Sequence, residues 1–215
     1  MRPLVILRPE PAASRSAAKA AALGLTVQLC PLFEVAPVDW TAPDPAGFDG
    51  LVLTSANAVR HGGAGLDRLK SLPVHAVGEA TAEAARAAGF AIAATGAGGV
   101  EGLRLPPGQR LLHLAGRDHR AIAGATTIIV YEARPTAPPD GMDRLAGSVV
   151  AVHSPAAARR LAELVEERAA VAIAAISSAA AEACGPGWQC VEAAAEPSDS
   201  ALLALAARLC ESAAP

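Results

Sequence analysis

The chain has 215 residues, of which 52% are hydrophobic and only 3% aromatic, and its formal net charge is −3. This composition argues against a nucleic-acid-binding protein, because such proteins carry basic patches and often aromatic residues on which bases stack. We also expect no secretory leader and no membrane helix, since the sequence lacks an apolar stretch of sufficient length. The four cysteines lack zinc-knuckle spacing, so we expect a cytoplasmic protein with reduced thiols and no bound metal.

The first thirty residues are predicted to form a strand–helix–strand unit. The predicted elements are a strand over 4–7, a helix over 12–23 and a strand over 25–29. Such a unit implies that the two strands pair in parallel through a right-handed crossover. The first strand ends at Arg8. Residues 31–37 follow as an extended segment bracketed by prolines, which we interpret as a linker strand.

The stretch 49–60 combines a short buried strand with two hydroxyl residues and the start of a helix. Thr54 and Ser55 follow directly after the predicted strand 51–53. Ser55 can cap the helix, and the free N–H groups of a first helical turn can bind an anion. Both residues are therefore candidate ligand-binding residues, although Ser55 can equally be only a helix cap.

The same pattern recurs in the second half of the chain. Three pairs of positions share an offset of 99 residues: Ser55 and Ser154, Gly78 and Ser177, and Leu103 and Leu202. In the second copy Pro155 occupies the first helical position, where proline fits well. Three units in register predict two copies of one α/β domain, each with a serine at the tip of a strand.

The remaining elements follow from apolar runs and helix-start signals. In the first copy we predict strands over 51–53, 74–77, 91–93 and 111–114, helices over 56–70 and 79–88, and weaker helices near Val100 and Arg117. In the second copy we predict strands over 149–152, 172–176 and 190–193, and helices over 155–168, 178–183 and 200–210. The glycines at 62–65 are expected to interrupt the helix predicted over 56–70. Residues 126–131 carry the strongest strand signal in the chain.

The second copy has only three strands of its own, and the first two strands of the chain can complete its sheet. We therefore expect a discontinuous domain formed by residues 1–30 and 136–215, and a second domain formed by residues 38–125. Residues 31–37 and 126–135 would then be linker strands that pair antiparallel. Each domain is expected to be an open parallel sheet covered by helices on both faces.

Seven short motifs, in this order and spacing, resemble the uroporphyrinogen-III synthase family. They are Leu7–Pro9, Pro31–Val35, Leu53–Val59, Ala76–Ala82, Leu114–Arg117, Val130–Ala133 and Ser154–Pro155. The resemblance implies an α/β fold of two flavodoxin-like parallel-sheet domains joined by a two-stranded antiparallel ladder, with the substrate between them. It also implies a cyclising hydro-lyase of haem and tetrapyrrole biosynthesis. This enzyme converts hydroxymethylbilane to uroporphyrinogen III through a spiro intermediate, with inversion of ring D and loss of water.

The resemblance further implies that no metal or organic cofactor is used. We expect a monomer whose only partner is its small-molecule substrate, with no nucleic acid and no membrane. Direct hand-over of hydroxymethylbilane from the enzyme that makes it is an open alternative.

The carboxylates of such a substrate can be held by hydroxyls, N–H groups and arginines beyond the carboxyl ends of the strands. The candidate binding residues are Arg8, Thr54, Ser55, Gly78, Thr81, Gly116, Arg117, His153, Ser154 and Ser177. One position departs from the family, because Thr81 corresponds to Ala180 in the second copy. Ser177 or Ser178 can substitute there.

Tyr131 is the only tyrosine, and it matches the tyrosine of the family's linker strand. Catalysis of this kind consists mainly of positioning, but a phenol can donate a proton to the leaving hydroxyl, so Tyr131 is the candidate catalytic residue. Packing of Tyr131 against Phe33 is the alternative. A structural role for His153 and a solvated position for Arg117 also stay open.

His113 lies inside a predicted strand and is expected to pack in the core. A cytosolic two-lobed protein that binds a small anion without catalysis is the alternative function. A dinucleotide-binding enzyme is disfavoured, because residues 8–11 stand where a glycine-rich turn is required.

Overall fold

The computed structural model describes residues 1–96 and 102–212. Its internal contacts divide the chain into two compact units. Unit 1 consists of Met1–Glu34 and Pro135–Pro215, and unit 2 consists of Val35–Arg134. The weak helix predicted near Val100 lies outside the described residues. Within the described ranges, no helix is both long enough and apolar enough to cross a membrane.

Strands and helices alternate along most of the chain. The strands are β1 (Leu4–Ile6), β2 (Val27–Leu29), β3 (Phe33–Pro37), β4 (Gly50–Leu53), β5 (Val74–Val77), β6 (Ile92–Gly96), β7 (Leu111–Gly116), β8 (Ala125–Pro135), β9 (Val149–Val152), β10 (Ala172–Ala175) and β11 (Cys190–Ala193). The helices are α1 (Ala12–Ala22), α2 (Ala56–His61), α3 (Glu79–Ala87), α4 (Pro155–Leu164), α5 (Ser178–Ala183) and α6 (Asp199–Glu211). Short 3-10 segments occur at Pro45–Gly47, Gly63–Leu69 and Met142–Arg144.

Unit 1 is built on a five-stranded parallel sheet with the order β11-β10-β9-β1-β2. Alternate residues of its central strands face opposite sides, as the period of a β-strand requires. Val150 and Val152 pack with Leu161 of α4 on one face. Val149 packs with Leu202 of α6 on the other face. Because helices cover both faces, the central strands are continuous apolar runs.

Unit 2 contains a six-stranded sheet with the order β3-β8-β7-β4-β5-β6, and the strands from β8 to β6 are parallel. One face is a leucine-rich core against α2 and α3, formed around Leu53 and Leu114. On the opposite face, Leu103 and Ile122 pack near Val52. The apolar alternation of β4 therefore directs Leu53 and Val52 to different sides.

The edge of the second sheet is formed by β3 beside β8. The N–H of Val38 donates to the Val130 carbonyl at 3.1 Å, and the N–H of Thr136 donates to the Leu32 carbonyl at 3.0 Å. Between these two hydrogen bonds, segments 32–38 and 130–136 therefore run in opposite directions. β8 runs from Ala125 to Pro135, so it ends where the linker strand predicted over 126–135 ends.

Three helix predictions need correction. The helix expected over 56–70 ends at His61 and continues as the 3-10 segment Gly63–Leu69, which confirms the expected break at the glycines. The weak helix near Arg117 is wrong, because the Arg117 N–H donates to the Tyr131 carbonyl and is held by the sheet. The helix expected over 155–168 ends at Leu164, where the chain becomes extended at Val165.

A single arginine explains the early end of α4. The Arg168 guanidinium donates to the carbonyls of Ala162 and Val165, which belong to the last turn of α4 and its C-cap, and to the carbonyl of Pro186. It also lies over the Trp188 ring, 5.1 Å from the centroid. The side chain of Arg168 therefore satisfies helix-end carbonyls that a longer helix would have bonded internally.

Candidate functional site

The site residues predicted in unit 2 lie at or just beyond the carboxyl ends of the neighbouring strands β7, β4 and β5, and Tyr131 lies within β8 beside the last residue of β7. We call this set the unit 2 edge; it consists of Thr54, Ser55, Gly78, Thr81, Gly116, Arg117 and Tyr131. Because parallel strands place their carboxyl ends at one edge of a sheet, residues from distant parts of the chain meet here.

The starts of α2 and α3 are built differently. The Asn57 N–H donates to Ser55 Oγ at 3.2 Å, so Ser55 is the N-cap of α2, as its sequence context predicts. Gly78 precedes α3 with φ at +85°, a conformation that glycine adopts without strain. A Cβ at Gly78 would meet no other atom within 4 Å, so the space beside this turn is open.

The hydroxyl of Thr81 is less available than we expected for a binding residue. Thr81 is only 5% exposed, and the corresponding Ala180 in unit 1 is fully buried. The position therefore faces the protein interior in both copies. Thr81 in the first copy and Ala180 in the second copy therefore both occupy packed positions.

Tyr131 lies against Gly116 on the neighbouring strand. Ala115 is paired with Ile129, but Gly116 is paired with Tyr131, so β8 carries a bulge at this point. A Cβ on Gly116 would lie 2.6 Å from two carbons of the Tyr131 ring, so only glycine leaves room for it. Bulges near functional sites commonly redirect a side chain in this way.

The surroundings of Tyr131 bear on its alternative role as a packing residue. Tyr131 packs against the leucine-rich core of unit 2, and its ring lies 6.4 Å from that of His61. Phe33 packs against the core of unit 1, together with Leu32. The tyrosine is half-buried, so its ring is held by packing while part of its surface stays accessible.

Arg117 shares a carboxylate with a second arginine. Arg134 donates to Glu132 Oε1 at 2.8 Å, and Arg117 donates to Glu132 Oε2 at 2.5 Å. These two guanidinium groups hold the pKa of Glu132 below its ordinary value. The Arg117 side chain is 59% exposed, so it is oriented by Glu132 and still faces solvent.

The Thr54 hydroxyl contacts a histidine that sequence reasoning assigned only to packing. His113 is fully buried, as expected, but its Nε2 lies 3.2 Å from Thr54 Oγ1 and its Nδ1 lies 3.4 Å from Thr127 Oγ1. Burial, together with the nearby charge of His119, lowers the pKa of His113 to about 4. His113 is therefore a neutral imidazole near pH 7, and each threonine is bonded to one of its nitrogens.

The site residues predicted in unit 1 follow three neighbouring strands, β1, β9 and β10. We call this set the unit 1 edge; it consists of Arg8, His153, Ser154 and Ser177. Ser154 accepts a hydrogen bond from the Ala157 N–H at 3.1 Å, and Ser177 accepts one from the Ala180 N–H at 3.3 Å. Both serines therefore cap the helices that follow them.

Asp199 connects two residues of the unit 1 edge and was not identified from the sequence. Its Oδ1 lies 3.2 Å from Arg8 Nη1 and 3.3 Å from His153 Nε2, and it accepts a hydrogen bond from the Ser16 hydroxyl at 2.7 Å. Lys19 donates to Oδ2 at 2.9 Å. The hydrogen bonds from His153, Ser16 and Lys19 hold the pKa of Asp199 well below its ordinary range.

One sequence signal does point to Asp199. It is the first residue of α6, directly after the N-cap Ser198, where a carboxylate is favoured by the helix dipole. The partners of Asp199 could not be inferred, because His153 is 46 residues away and Arg8 is 191 residues away in the chain. His153 Nδ1 is buried and has no hydrogen-bond partner among the described residues.

The two edges offer hydroxyls, backbone N–H groups and arginines, which are groups that bind carboxylates. In residues 1–96 and 102–212 there is no group of three or more histidine, cysteine, aspartate or glutamate side chains that could hold a metal ion. Groups of these kinds can bind an acidic ligand, and a phenol such as that of Tyr131 can in general donate a proton.

Comparison with solved structures gives several matches over nearly the whole chain, including the following two. The uroporphyrinogen-III synthetase of Helicobacter pylori is 20% identical, with 97% of this chain and 100% of that chain covered and a TM-score of 0.65. A mutant uroporphyrinogen III synthase of Thermus thermophilus is 19% identical, with 94% and 97% covered and a TM-score of 0.51. At this identity, the matches establish a shared α/β fold.

Sequence comparison identifies the family directly. A search of curated proteins found no significant match. The family model for uroporphyrinogen-III synthase HemD matches residues 14–204, which is most of the chain and includes strands of both sheets. The chain therefore belongs to the uroporphyrinogen-III synthase family.

Proposed function

We propose that this chain cyclises hydroxymethylbilane to uroporphyrinogen III, with inversion of ring D through a spiro intermediate and with loss of water. It would act as a hydro-lyase of haem and tetrapyrrole biosynthesis, as a cytoplasmic monomer. The observation that carries the proposal is the family match over residues 14–204. The donor groups at the two strand-end edges suit a substrate with many carboxylates.

The reaction requires little covalent catalysis by the protein. Loss of the terminal hydroxyl as water leaves an electrophilic azafulvene that the pyrrole nitrogen stabilises. Attack by the substituted carbon of ring D on this centre forms the spiro intermediate, and bond cleavage followed by reclosure inverts the ring. The main task is then to hold the chain so that this attack precedes direct closure, which is catalysis by positioning.

Tyr131 is the proposed proton donor to the departing hydroxyl. Gly116 leaves space for its ring, and the leucine-rich core holds the ring from one side. The phenol gives its proton as water leaves, and the proton released when the product regains aromaticity can restore it. General acid catalysis of this kind contributes about 10²–10⁴-fold.

The carboxylates of the substrate are assigned to residues of both edges. Arg117, already oriented by Glu132, is mostly exposed and can form a forked pair with a carboxylate. Arg8 is held by Asp199 at 3.2 Å, so it is fixed in place. The remaining binding assignments are Thr54, Ser55, Gly78, Thr81, Gly116, His153, Ser154 and Ser177.

The proposed reaction takes place on two flavodoxin-like domains. We assign residues 1–30 with 136–215 to one and residues 38–125 to the other, joined by segments 31–37 and 126–135 as an antiparallel ladder. The opposite course of the hydrogen bonds from Val38 to Val130 and from Thr136 to Leu32 supports this assignment.

The test is incubation of the purified protein with freshly generated hydroxymethylbilane in buffer containing a chelator. Products are oxidised to porphyrins, and the type I and type III isomers are separated. Without enzyme, ring D closes in its original orientation and gives type I, so we expect type III only when the protein is present. Tight binding of hydroxymethylbilane without any type III product would instead support the small-anion binding protein.

A further inference from the structure

A chain of three side chains connects three neighbouring strands of the sheet in unit 2. It runs from Thr127 on β8 through His113 on β7 to Thr54 after β4, with contacts of 3.4 Å and 3.2 Å. His113 is fully buried, whereas both threonines are only partly buried. The imidazole therefore connects two threonines and has no contact with solvent.

The protonation of His113 decides what the Thr54 hydroxyl can do. A neutral imidazole has one N–H donor and one acceptor nitrogen. If Nε2 carries the proton, it donates to Thr54 Oγ1, and the hydroxyl proton of Thr54 is free to point away. If Nδ1 carries the proton, buried Nε2 needs the Thr54 hydroxyl proton, because an unsatisfied buried acceptor costs free energy. Thr54 could then offer only lone pairs to a ligand.

An acidic ligand requires the first of these two states. Carboxylate oxygens accept hydrogen bonds, so a threonine that contacts one must donate. In that state the Thr127 hydroxyl donates to Nδ1, Nε2–H donates to Thr54, and Thr54 donates outward. All three hydrogen bonds then run in one direction, and each member polarises the next.

We propose that His113 is a positioning residue which, as the Nε2–H tautomer, turns the Thr54 hydroxyl outward as a hydrogen-bond donor to a substrate carboxylate. This inference rests on the proposed function for the identity of the ligand. The tautomer is independent of that identity. Thr54 touches the ligand, and His113 acts only through Thr54.

His75 provides a matched control on the neighbouring strand. His75 and His113 are both paired with Val52, on opposite sides of β4, and both are buried. No side-chain hydrogen bond joins His75 to the unit 2 edge among the described residues. His75→Leu therefore removes a buried imidazole at the same level of the sheet without disturbing Thr54.

The kinetic test is a double-mutant cycle with hydroxymethylbilane as substrate. Thr54→Val and His113→Leu should each raise KM about 2- to 10-fold, the loss expected for one hydrogen bond, with little change in kcat. In the Thr54→Val background, His113→Leu should have no further effect. His75→Leu should keep the wild-type KM. Additive effects of the two substitutions, or an equal effect of His75→Leu, would overturn the proposal.

The tautomer is tested on the wild-type protein without any activity. Long-range ¹H–¹⁵N spectra of isotope-labelled wild-type protein at pH 7, with the His113 ring assigned through its own backbone resonances, should show His113 as the Nε2–H tautomer. The Nδ1–H tautomer or an imidazolium would overturn the proposal even if every variant failed to fold. Absence of type III product from the wild type would refute the proposed function but would not affect the measurement of the His113 tautomer.

Discussion

Acidification from pH 7 to pH 5 should destabilise the folded chain through His113. Its folded-state pKa is about 4, compared with an ordinary value of 6.5. Above pH 6.5 the imidazole is neutral in both states and contributes nothing. As the pH falls below that value, His113 becomes protonated in the unfolded chain but stays neutral in the folded chain, so the free energy of unfolding decreases. The loss levels off near pH 4, where folded His113 is also protonated.

The size of this effect follows from the two pKa values. The full difference corresponds to about 3 kcal/mol. At pH 5 the linkage relation gives a loss of about 2 kcal/mol relative to pH 7. Most carboxylates are still ionised at pH 5, so this range isolates the histidines from general acid unfolding.

Urea unfolding at both pH values, followed by tryptophan fluorescence, measures the effect. Trp40 lies in unit 2 and Trp188 in unit 1, so the signal covers both units. His113→Leu should lose about 2 kcal/mol less than the wild type between pH 7 and pH 5. As a control, Ser177→Ala should shift stability by the same amount at both pH values, since it removes a helix cap but no group that titrates in this range. An equal loss in the wild type and His113→Leu would refute the reasoning.

Tyr131→Phe should slow formation of the type III isomer about 10²-fold while urea unfolding stays unchanged, because the ring is retained. Thr81→Val and Ser154→Ala should each cost at most about 10-fold in the same isomer assay; full activity of Tyr131→Phe would reduce this residue to packing. Gly116→Ala should also lower kcat, since its Cβ would lie 2.6 Å from the Tyr131 ring; normal kcat would show that the position of the ring is unimportant. Asp199→Asn should lower the free energy of unfolding at pH 7 by about 1–3 kcal/mol. This difference in the free energy of unfolding should shrink below about pH 4, because protonation of Asp199 in the wild type weakens its ion pairs and hydrogen bonds. A difference that stays constant below pH 4 would contradict the lowered pKa of Asp199.

Features governed by local physics were predictable from the sequence. The strand Val149–Val152 was predicted with its observed bounds, because a buried parallel strand is a continuous apolar run. A cap role for Ser55 is one of the two roles that its sequence context offers, and Ser154 caps its helix in the same way, because a cap depends on the residues that immediately follow it. These interactions span two or three positions, so the pattern contains all the information needed.

Features governed by tertiary contacts were not predictable. The early end of α4 depends on Arg168, whose side chain turns back onto helix-end carbonyls. The link between Thr54 and His113 spans 59 residues, and that between His153 and Asp199 spans 46. Such pairs require the strand order, and one sequence does not specify which polar residues become neighbours across the sheet.

The contact between Gly116 and Tyr131 also has an evolutionary meaning. A side chain at position 116 and an aromatic ring at position 131 exclude each other sterically. Neither residue can change alone without loss, so the two positions should be inherited as a pair. Relatives that carry any larger residue at the first position should lack the ring at the second, and they would need another source for its proton.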